Sequence, residues 1–349
     1  MSSAIPIQNI FYMLSYAWDR LEQARALTVD FSEMDTPRDL LVRLLINGTK
    51  HILRRGMWRD YSETEDSSRT VRGKILLDRT IKKDGLINGR LDCRFGHLSP
   101  NALVNQIIIS TMRALLNAGT ANELHKKELR SIVAGVPNVA TVILNNSVFE
   151  LARTHRNNAY YDLVLKVCRL IYRDLMPDEA LSAFDFFDFE RNPKEMAQVF
   201  ERFVRNFYKL EQTSYRVDRR TISWVAEPID EQSEGYLPRM ETDICLDSVS
   251  GHETIVIDTK YYGSALNTRF GSESIHSENL YQIYTYLAQT RLQDSFDGRK
   301  LRGILLYPQT LRPLSLHYRV QQDLISICTV DLSQDWDLIH RELINVLSA

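Results

Sequence analysis

Two aspartates and a lysine are spaced so that they could act together on a phosphate ester. Asp243 and Asp258 flank a segment with the pattern of a β-hairpin, and Lys260 follows Asp258 by two residues. Aspartate oxygens are hard ligands of the kind that Mg²⁺ prefers, and a nearby ammonium group can stabilise negative charge that builds up on phosphorus. The set is therefore suited to hydrolysis of a phosphodiester assisted by a divalent cation.

The register of this hairpin predicts which side chains share a face. A turn centred on residues 250–251 places Asp243 opposite Asp258 and Glu241 opposite Lys260. Strand side chains alternate between faces, so all four would point the same way, with opposed Cβ atoms about 5 Å apart. Two carboxylates at that distance repel each other unless a cation lies between them. Glu241 could add a metal ligand or hold Lys260 by an ion pair.

An ordinary surface hairpin with cross-strand salt bridges would show the same spacing. One feature favours the chemical interpretation: the residues before Asp258 (Ile255, Val256 and Ile257) are all apolar, which indicates a strand buried on both faces. The acidic pair would then lie at the end of a core strand. The order of the surrounding elements also suits such a site.

The elements that would position these residues follow one another in the second half of the chain. Asn192-Pro193 predicts the start of a helix, because asparagine caps helices and proline fits the first helical position. Residue patterns predict strands near 220–227, 239–247 and 253–262, a helix from Ser277 to about 290, a buried strand at 303–308, two more strands, and a helix near 333–347. We therefore predict an α/β (α+β) fold class with a core of order α-β-β-β-α-β.

The first half has a different character and is expected to form a separate domain. Apolar residues at helical spacing predict helices over 7–21, from Thr36-Pro37 onward, from Ser99-Pro100 onward, near 121–134 and near 160–175. The aromatic and acidic segment 184–193 is interpreted as the junction. The predicted domains are thus 1–185, mixed helical and β, and 186–349.

Residues 50–94 are strongly basic, with twelve Lys/Arg against seven Asp/Glu. Glycines interrupt short strand-like runs such as KILL and LINGRL, which indicates irregular β-structure with an exposed basic surface. Either a solvated face or a surface that contacts phosphates or a partner subunit would account for this composition.

The composition as a whole excludes several classes of protein. The net charge is −2, and 44% of the residues are hydrophobic and 25% charged, as in ordinary globular proteins. The four cysteines are never at C-x-x-C spacing, and the eight histidines lack H-x-x-x-H spacing, which argues against zinc and iron–sulfur sites. His252 and His276 flank the candidate site and are interpreted as structural or solvent-facing. With no apolar run of about 20 residues and no signal-peptide pattern, we expect a cytoplasmic protein that is not in a membrane.

The acidic and basic residues resemble the motif of the PD-(D/E)xK nuclease superfamily. Asp243 matches the first acid and Asp258-Thr259-Lys260 the (D/E)-x-K element, while Gln282 and Tyr286 resemble the Q-x-x-x-Y element of its RecB-like branch. In a helix this spacing puts both side chains on one face, although plain packing would also explain it. Glu201 is the candidate for the metal-directed glutamate of the preceding helix, with a solvated glutamate as the alternative.

The whole chain resembles the McrC family, the endonuclease subunits of McrBC-type restriction systems. The resemblance is carried by IPIQNIFYMLSYAWDRL, VRGKILLDRTI, FFDFERNPKEM and LPRMETDI…IDTKYY. It implies cleavage of double-stranded DNA containing modified cytosine, with Mg²⁺ or Mn²⁺ at the site. It also implies a hexameric McrB-like AAA+ GTPase as partner. The partner would bind the GTP, since this sequence has no G-x-x-x-x-G-K-[ST] motif.

The resemblance further implies that the N-terminal domain docks on the ring and stimulates GTP hydrolysis. We predict that a basic protrusion near 50–98 makes this contact, with five candidate residues: Arg72, Lys74, Arg79, Lys82 and Lys83. Two alternatives are a non-catalytic activator or scaffold of the ring, and a stand-alone RecB-like nuclease. The near-neutral net charge favours dependence on a partner, because nucleases that act alone usually carry a broad basic surface.

Overall fold

The computed structural model describes residues 5–27, 29–31, 34, 36–83, 86–119, 121–152, 158–175, 193–233, 235–261, 265–269, 272–293 and 296–348. The predicted junction 184–193 lies outside these residues except for Pro193. The helices are α1 (Ile7–Ala17), α2 (Leu21–Ala26), α3 (Pro37–Arg55), α4 (Leu77–Lys82), α5 (Leu103–Ala118), α6 (Glu123–Gly135), α7 (Asn146–Leu151), α8 (Ala159–Leu175), α9 (Pro193–Glu211), α10 (Ser277–Leu292) and α11 (Trp336–Val346).

The strands are β1 (Asp60–Ser68), β2 (Lys74–Ile75), β3 (Leu91–Ser99), β4 (Tyr215–Asp218), β5 (Thr221–Ile222), β6 (Met240–Glu241), β7 (Ile244–Ser248), β8 (Glu253–Thr259), β9 (Leu266–Arg269), β10 (Ser272–Ile275), β11 (Lys300–Pro308), β12 (Ser315–Val320) and β13 (Asp323–Val330). The predicted mixture of helices and strands is confirmed. Within the described ranges, no helix combines the length and apolar character that a membrane span requires.

The chain folds into two compact units. One, here called the six-strand unit, comprises Met1–Arg25, Asp30–Leu40 and Asp188–Ala349; the other, the helical unit, comprises Ala26–Val29 and Leu41–Phe187. The first helix therefore belongs to the same unit as the second half of the chain. A single boundary after residue 185 does not separate the two units.

Long-range packing explains where α1 lies. The Tyr12 ring stacks on Trp336 of α11 with centroids 4.7 Å apart, and Asn9 Nδ2 donates to the carbonyl of Leu332 at 2.9 Å. On α9, Asn206 Nδ2 donates to the carbonyl of Tyr16 at 2.8 Å. Helical periodicity predicts an apolar stripe on α1 but cannot say which elements cover it.

The helical unit combines α5, α6 and α8 with a three-stranded sheet of order β1-β3-β2. The predicted basic β-structure is thus partly confirmed, since β1 and β3 pair antiparallel from Asp60↔Ser99 to Ser68↔Leu91. The prediction that the runs KILL and LINGRL form strands was wrong in detail. KILL contributes only two strand residues before the chain turns into α4, and LINGRL is mainly a turn that leads into β3.

The six-strand unit is built on a mixed sheet of order β12-β13-β11-β8-β7-β4. Strand β11 lies parallel to both β8 and β13, and the other neighbours are antiparallel. The predicted hairpin register is confirmed within β7 and β8: Ile244 pairs with Ile257 and Cys245 with Val256. Gly251 has a φ of +78° in the turn, a conformation that glycine adopts without strain.

Helices cover the sheet and carry the flanking parts of the site. Ile283 and Leu287 of α10 pack over Gly303 of β11, and a Cβ at that glycine would lie 2.7 Å from Ile283 Cγ1. The absence of a side chain at Gly303 therefore lets α10 approach the sheet closely. On α9, the buried rings of Phe200, Phe203 and Phe207 supply an apolar face.

Candidate active site

Asp258 is a buried carboxylate at the end of β8. The residue is 1% exposed, and its Oδ1 has no hydrogen-bond partner within the described ranges. Burial raises the pKa of Asp258 to about 6; Lys260 opposes this shift, whereas the charges of Asp243 and Glu201 add to it. A desolvated, incompletely paired carboxylate is costly in a fold and is typical of functional sites.

Lys260 is the cation that accompanies Asp258. Its Nζ lies 2.8 Å from Asp258 Oδ2 and 2.9 Å from Oε1 of Gln282, and its backbone N–H donates to the carbonyl of Leu306 at 2.9 Å. The last bond extends the pairing of β8 with β11 by one residue. Lys260 is therefore held both at its backbone N–H and at its ammonium group.

Asp243 lies in the bend between β6 and β7, where the β7–β8 ladder ends. Its Oδ2 accepts hydrogen bonds from the backbone N–H and the hydroxyl of Thr259, both at 2.8 Å. Asp243 and Asp258 thus lie at the same end of the hairpin, and the effect of Asp243 on the pKa of Asp258 reflects this proximity.

Gln282 and Tyr286 extend the network from α10. Gln282 Nε2 donates to the Tyr286 hydroxyl at 2.7 Å, and that hydroxyl donates to the carbonyl of Glu241 at 3.0 Å. Burial raises the pKa of Tyr286, so its hydroxyl keeps its proton. The structure therefore connects Gln282 and Tyr286 with Lys260, a contact that their shared helix face alone does not predict.

The position of Glu241 differs from the expected one. Because the β7–β8 ladder stops at Ile244, Glu241 does not lie opposite Lys260; it pairs with Thr221 of β5 instead. Its half-exposed carboxylate lies 3.0 Å from Arg219 Nη2. The prediction of an ion pair between Glu241 and Lys260 was wrong. The Lys260 ammonium group contacts Asp258 and Gln282 instead.

Glu201 projects from α9 as part of an ion pair. Arg205 Nη1 lies 2.7 Å from Glu201 Oε1 and also donates to the carbonyl of Asp243 at 3.2 Å. The Glu201 charge contributes to the raised pKa of Asp258, so this carboxylate acts electrostatically on the site. Sequence reasoning missed the part played by Arg205, although its i, i+4 spacing from Glu201 is a usable signal.

These residues suit a hard divalent cation. The described residues contain no group of three His, Cys, Asp or Glu side chains gathered so as to hold a metal ion. Mg²⁺, however, is commonly held by one or two carboxylates, with water and substrate oxygens completing its shell. Asp243 and Asp258 supply such oxygens, and Asp258 Oδ1, which no described residue satisfies, is a buried acceptor that a cation would satisfy.

The docking residues predicted in the helical unit have varied surroundings. Arg79 pairs with Glu65, Lys83 Nζ lies 3.7 Å from Asp92, and Arg72 lies over the ring of Phe95. Lys74 and Lys82 are exposed.

An apolar surface beside them was missed by the sequence reasoning. Leu77 and Ile81 are each 60% exposed, and they lie one turn apart on α4. Because Leu77 falls in a run interpreted as a strand, the helical spacing of this pair went unrecognised.

All four cysteines are free and buried: Cys93, Cys168, Cys245 and Cys328.

The candidate site is thus a pair of aspartates with a lysine at the end of a mixed sheet. Residues 7–308 match the model of the family described as McrBC 5-methylcytosine restriction system component. The chain is 33% identical to the type IV methyl-directed restriction enzyme EcoKMcrBC of Escherichia coli strain K12, over 98% of this chain and 97% of that protein. The chain therefore belongs to the McrBC family.

A solved structure supports the fold. The chain is similar to a chain in the half-complex from a tetradecameric assembly of Thermococcus gammatolerans McrB AAA+ hexamers with bound McrC, with a TM-score of 0.63. The match has 18% identity and covers 98% of this chain and 75% of that one. At this identity the similarity concerns the fold alone.

Proposed function

We propose that this chain is the DNA-cleaving, McrC-type subunit of a modification-dependent restriction complex, with a PD-(D/E)xK site formed by Asp243, Asp258 and Lys260. The observation that carries the proposal is the buried carboxylate of Asp258: Lys260 lies 2.8 Å from one oxygen, and the other has no hydrogen-bond partner among the residues that the structure describes. A structural salt bridge would gain from satisfying both oxygens. A partly satisfied one fits a site that awaits a ligand.

Asp243 and Asp258 would hold Mg²⁺ or Mn²⁺. The charge of Glu201, which already acts on Asp258, would also act on the bound cation. Glu241 is a weaker candidate ligand, because its carboxylate is paired with Arg219. A bound divalent cation would supply charge neutralisation and polarise the scissile phosphate. Lys260 would donate to a phosphate oxygen as negative charge develops there. Gln282 fixes the ammonium group, and Tyr286 fixes Gln282.

The proposed partner is a hexameric McrB-like AAA+ GTPase. Membership of the McrBC family and the similarity to a chain of an McrB–McrC assembly support this choice. The partner would bind GTP, because this chain lacks a phosphate-binding loop motif. The partner would also recognise modified cytosine in double-stranded DNA. The helical unit would carry the docking surface, and the complex would act on DNA in the cytoplasm.

The test separates cleavage from activation of the partner. We expect Asp258→Asn to reduce cleavage of methylated DNA by about 1000-fold or more, in the presence of the partner, GTP and Mg²⁺, while GTPase stimulation persists. The matched control is Asp247→Asn on the adjacent strand, which removes an ion-paired aspartate away from the site and should leave cleavage intact. Unchanged cleavage by Asp258→Asn would contradict the nuclease assignment and leave a non-catalytic activator as the alternative.

A further inference from the structure

The residue between Asp258 and Lys260 holds the other aspartate of the site. Thr259 donates to Asp243 Oδ2 from both its backbone N–H and its hydroxyl, each at 2.8 Å. Thr259 is buried, and Asp243 Oδ1 has no protein partner in the part of the chain that the structure describes. The two oxygens of Asp243 therefore differ: one is occupied by Thr259 and the other is available.

The geometry of the sheet explains why Asp243 depends on this residue. Lys260 N–H bonds to β11, so the N–H of Thr259 points to the opposite side, towards β7. The β7–β8 ladder has already ended at Ile244, and no β7 carbonyl remains to accept from Thr259. The Asp243 carboxylate takes that place, and the Thr259 hydroxyl adds a second bond that backbone pairing alone would not supply.

Arg205 holds the backbone at the same point. Its Nη1 donates to the Asp243 carbonyl at 3.2 Å and is anchored by Glu201 at 2.7 Å. Asp243 is thus restrained on its backbone from α9 and on its side chain from β8. A residue in a bend needs such support, because no ladder orients it.

We propose that Thr259 is a positioning residue for the divalent cation: its hydroxyl fixes the carboxylate of Asp243 so that Oδ1 remains available beside Asp258. This inference rests on the proposed function, since it concerns the same site. The intervening position of the D-x-K element therefore contributes a side chain to the site as well as spacing.

The test measures metal binding directly, by calorimetric titration of Ca²⁺ alone into the 349-residue chain. We expect Thr259→Val to weaken Ca²⁺ binding about 10-fold, the scale typical of residues that orient metal ligands. Thr259→Ser, which keeps the hydroxyl, should bind within about twofold of the wild type. In cleavage assays with the partner, Thr259→Val should raise the Mg²⁺ concentration for half-maximal rate more than it lowers the maximal rate.

Thr254 offers a matched control on the same strand. It is also buried, and its hydroxyl donates to a carboxylate oxygen of Asp247 at 2.6 Å. Thr254→Val should therefore lose a similar bond while leaving Ca²⁺ affinity unchanged. Thr259→Ala serves as a second variant without the hydroxyl should the valine variant fail to fold.

Three results separate the failure of this inference from the failure of the proposed function. Suppose that Thr259→Val or Thr259→Ala binds Ca²⁺ with wild-type affinity while Asp258→Asn loses binding. This result would overturn the role of Thr259 but would not contradict the proposed site. An equal loss of affinity in Thr254→Val would overturn it too, because the effect would then be general. Wild-type affinity in Asp258→Asn would contradict the proposed site itself.

Discussion

The carboxyl group of Asp258 is both buried and close to like charges. Burial is the largest cause of its raised pKa, and the neighbouring carboxylates of Asp243 and Glu201 act in the same direction. Lys260 offsets only part of this effect. The ionised form of Asp258 is therefore destabilising near neutral pH unless a further cation is bound.

This pKa shift makes stability depend on pH in a defined direction. The folded chain binds the Asp258 proton more tightly than the unfolded chain does, since an ordinary aspartate has a pKa of about 3.9. As the pH rises from about 4 through about 6, ionisation of Asp258 lowers the free energy of unfolding, by at most roughly 3 kcal/mol.

We expect Asp258→Asn to remove this dependence. In buffer without divalent cations, the variant should unfold at a higher temperature than the wild type near pH 8, and the difference should shrink near pH 4. Thermal unfolding of both chains over this range measures the effect. A difference that does not change with pH would show that Asp258 has an ordinary pKa.

At the scale of elements, the hairpin could be predicted because its signals are local. Apolar residues in β8, alternation in β7 and a glycine in the turn specify the register that the structure shows. That register brings Asp243 and Asp258 to one end. The surroundings of Glu241 could not be predicted, because they depend on the bend at Asp243 and on a separate pairing of β6 with β5.

Helix α4 shows the limit of local patterns more clearly. Six residues are too few for periodicity to distinguish a helix from a strand, and KILL fits both. The outcome matters for function, because the helix places Leu77 and Ile81 together on an exposed surface. Large exposed apolar side chains that lie together commonly mark contacts with a partner.

We expect this surface to contribute to docking on the AAA+ ring, alongside the basic candidates. Leu77→Ser together with Ile81→Ser should raise about 10-fold the concentration of this chain needed for half-maximal GTPase stimulation, since buried apolar side chains contribute substantially to association. The melting temperature should be preserved, because both residues are exposed already. Ile143→Ser, at an exposed residue elsewhere in the helical unit, is the control. Unaltered stimulation by the double variant would exclude α4 from the interface.

At the scale of the whole molecule, the two compact units do not follow chain order. Residues of α1 complete the six-strand unit, although about 150 residues of the helical unit separate them from α9 in the sequence. No local pattern reveals this arrangement. The aromatic residues of α1 predict that it is buried, and only tertiary structure identifies Trp336 and α9 as the elements that cover it.

The arrangement predicts that the second half cannot fold well alone. A fragment of residues 186–349 would expose the apolar surfaces of α9 and α11 that α1 covers, and it would lose the bonds from Asn9. We expect it to lack a cooperative thermal transition, and a peptide of residues 1–40 to restore one. Cooperative unfolding of the fragment at the temperature of the intact chain would contradict this account.

The net charge of −2 also concerns the whole molecule. Without an overall positive charge, the chain has little general attraction for DNA, so delivery by a partner that grips DNA would determine where it cuts. The proposed division of labour thus agrees with the distribution of charge as well as with the family.

The central claim is that Asp243 and Asp258 share one divalent cation. Crystals of the chain grown with Mn²⁺, with diffraction recorded at the manganese absorption edge, would test it most directly. We expect an anomalous peak within metal–oxygen bonding distance, about 2.0 to 2.6 Å, of an oxygen of each aspartate, with Asp258 Oδ1 among them. No peak at saturating Mn²⁺, with Asp258 still bound only by Lys260, would contradict it.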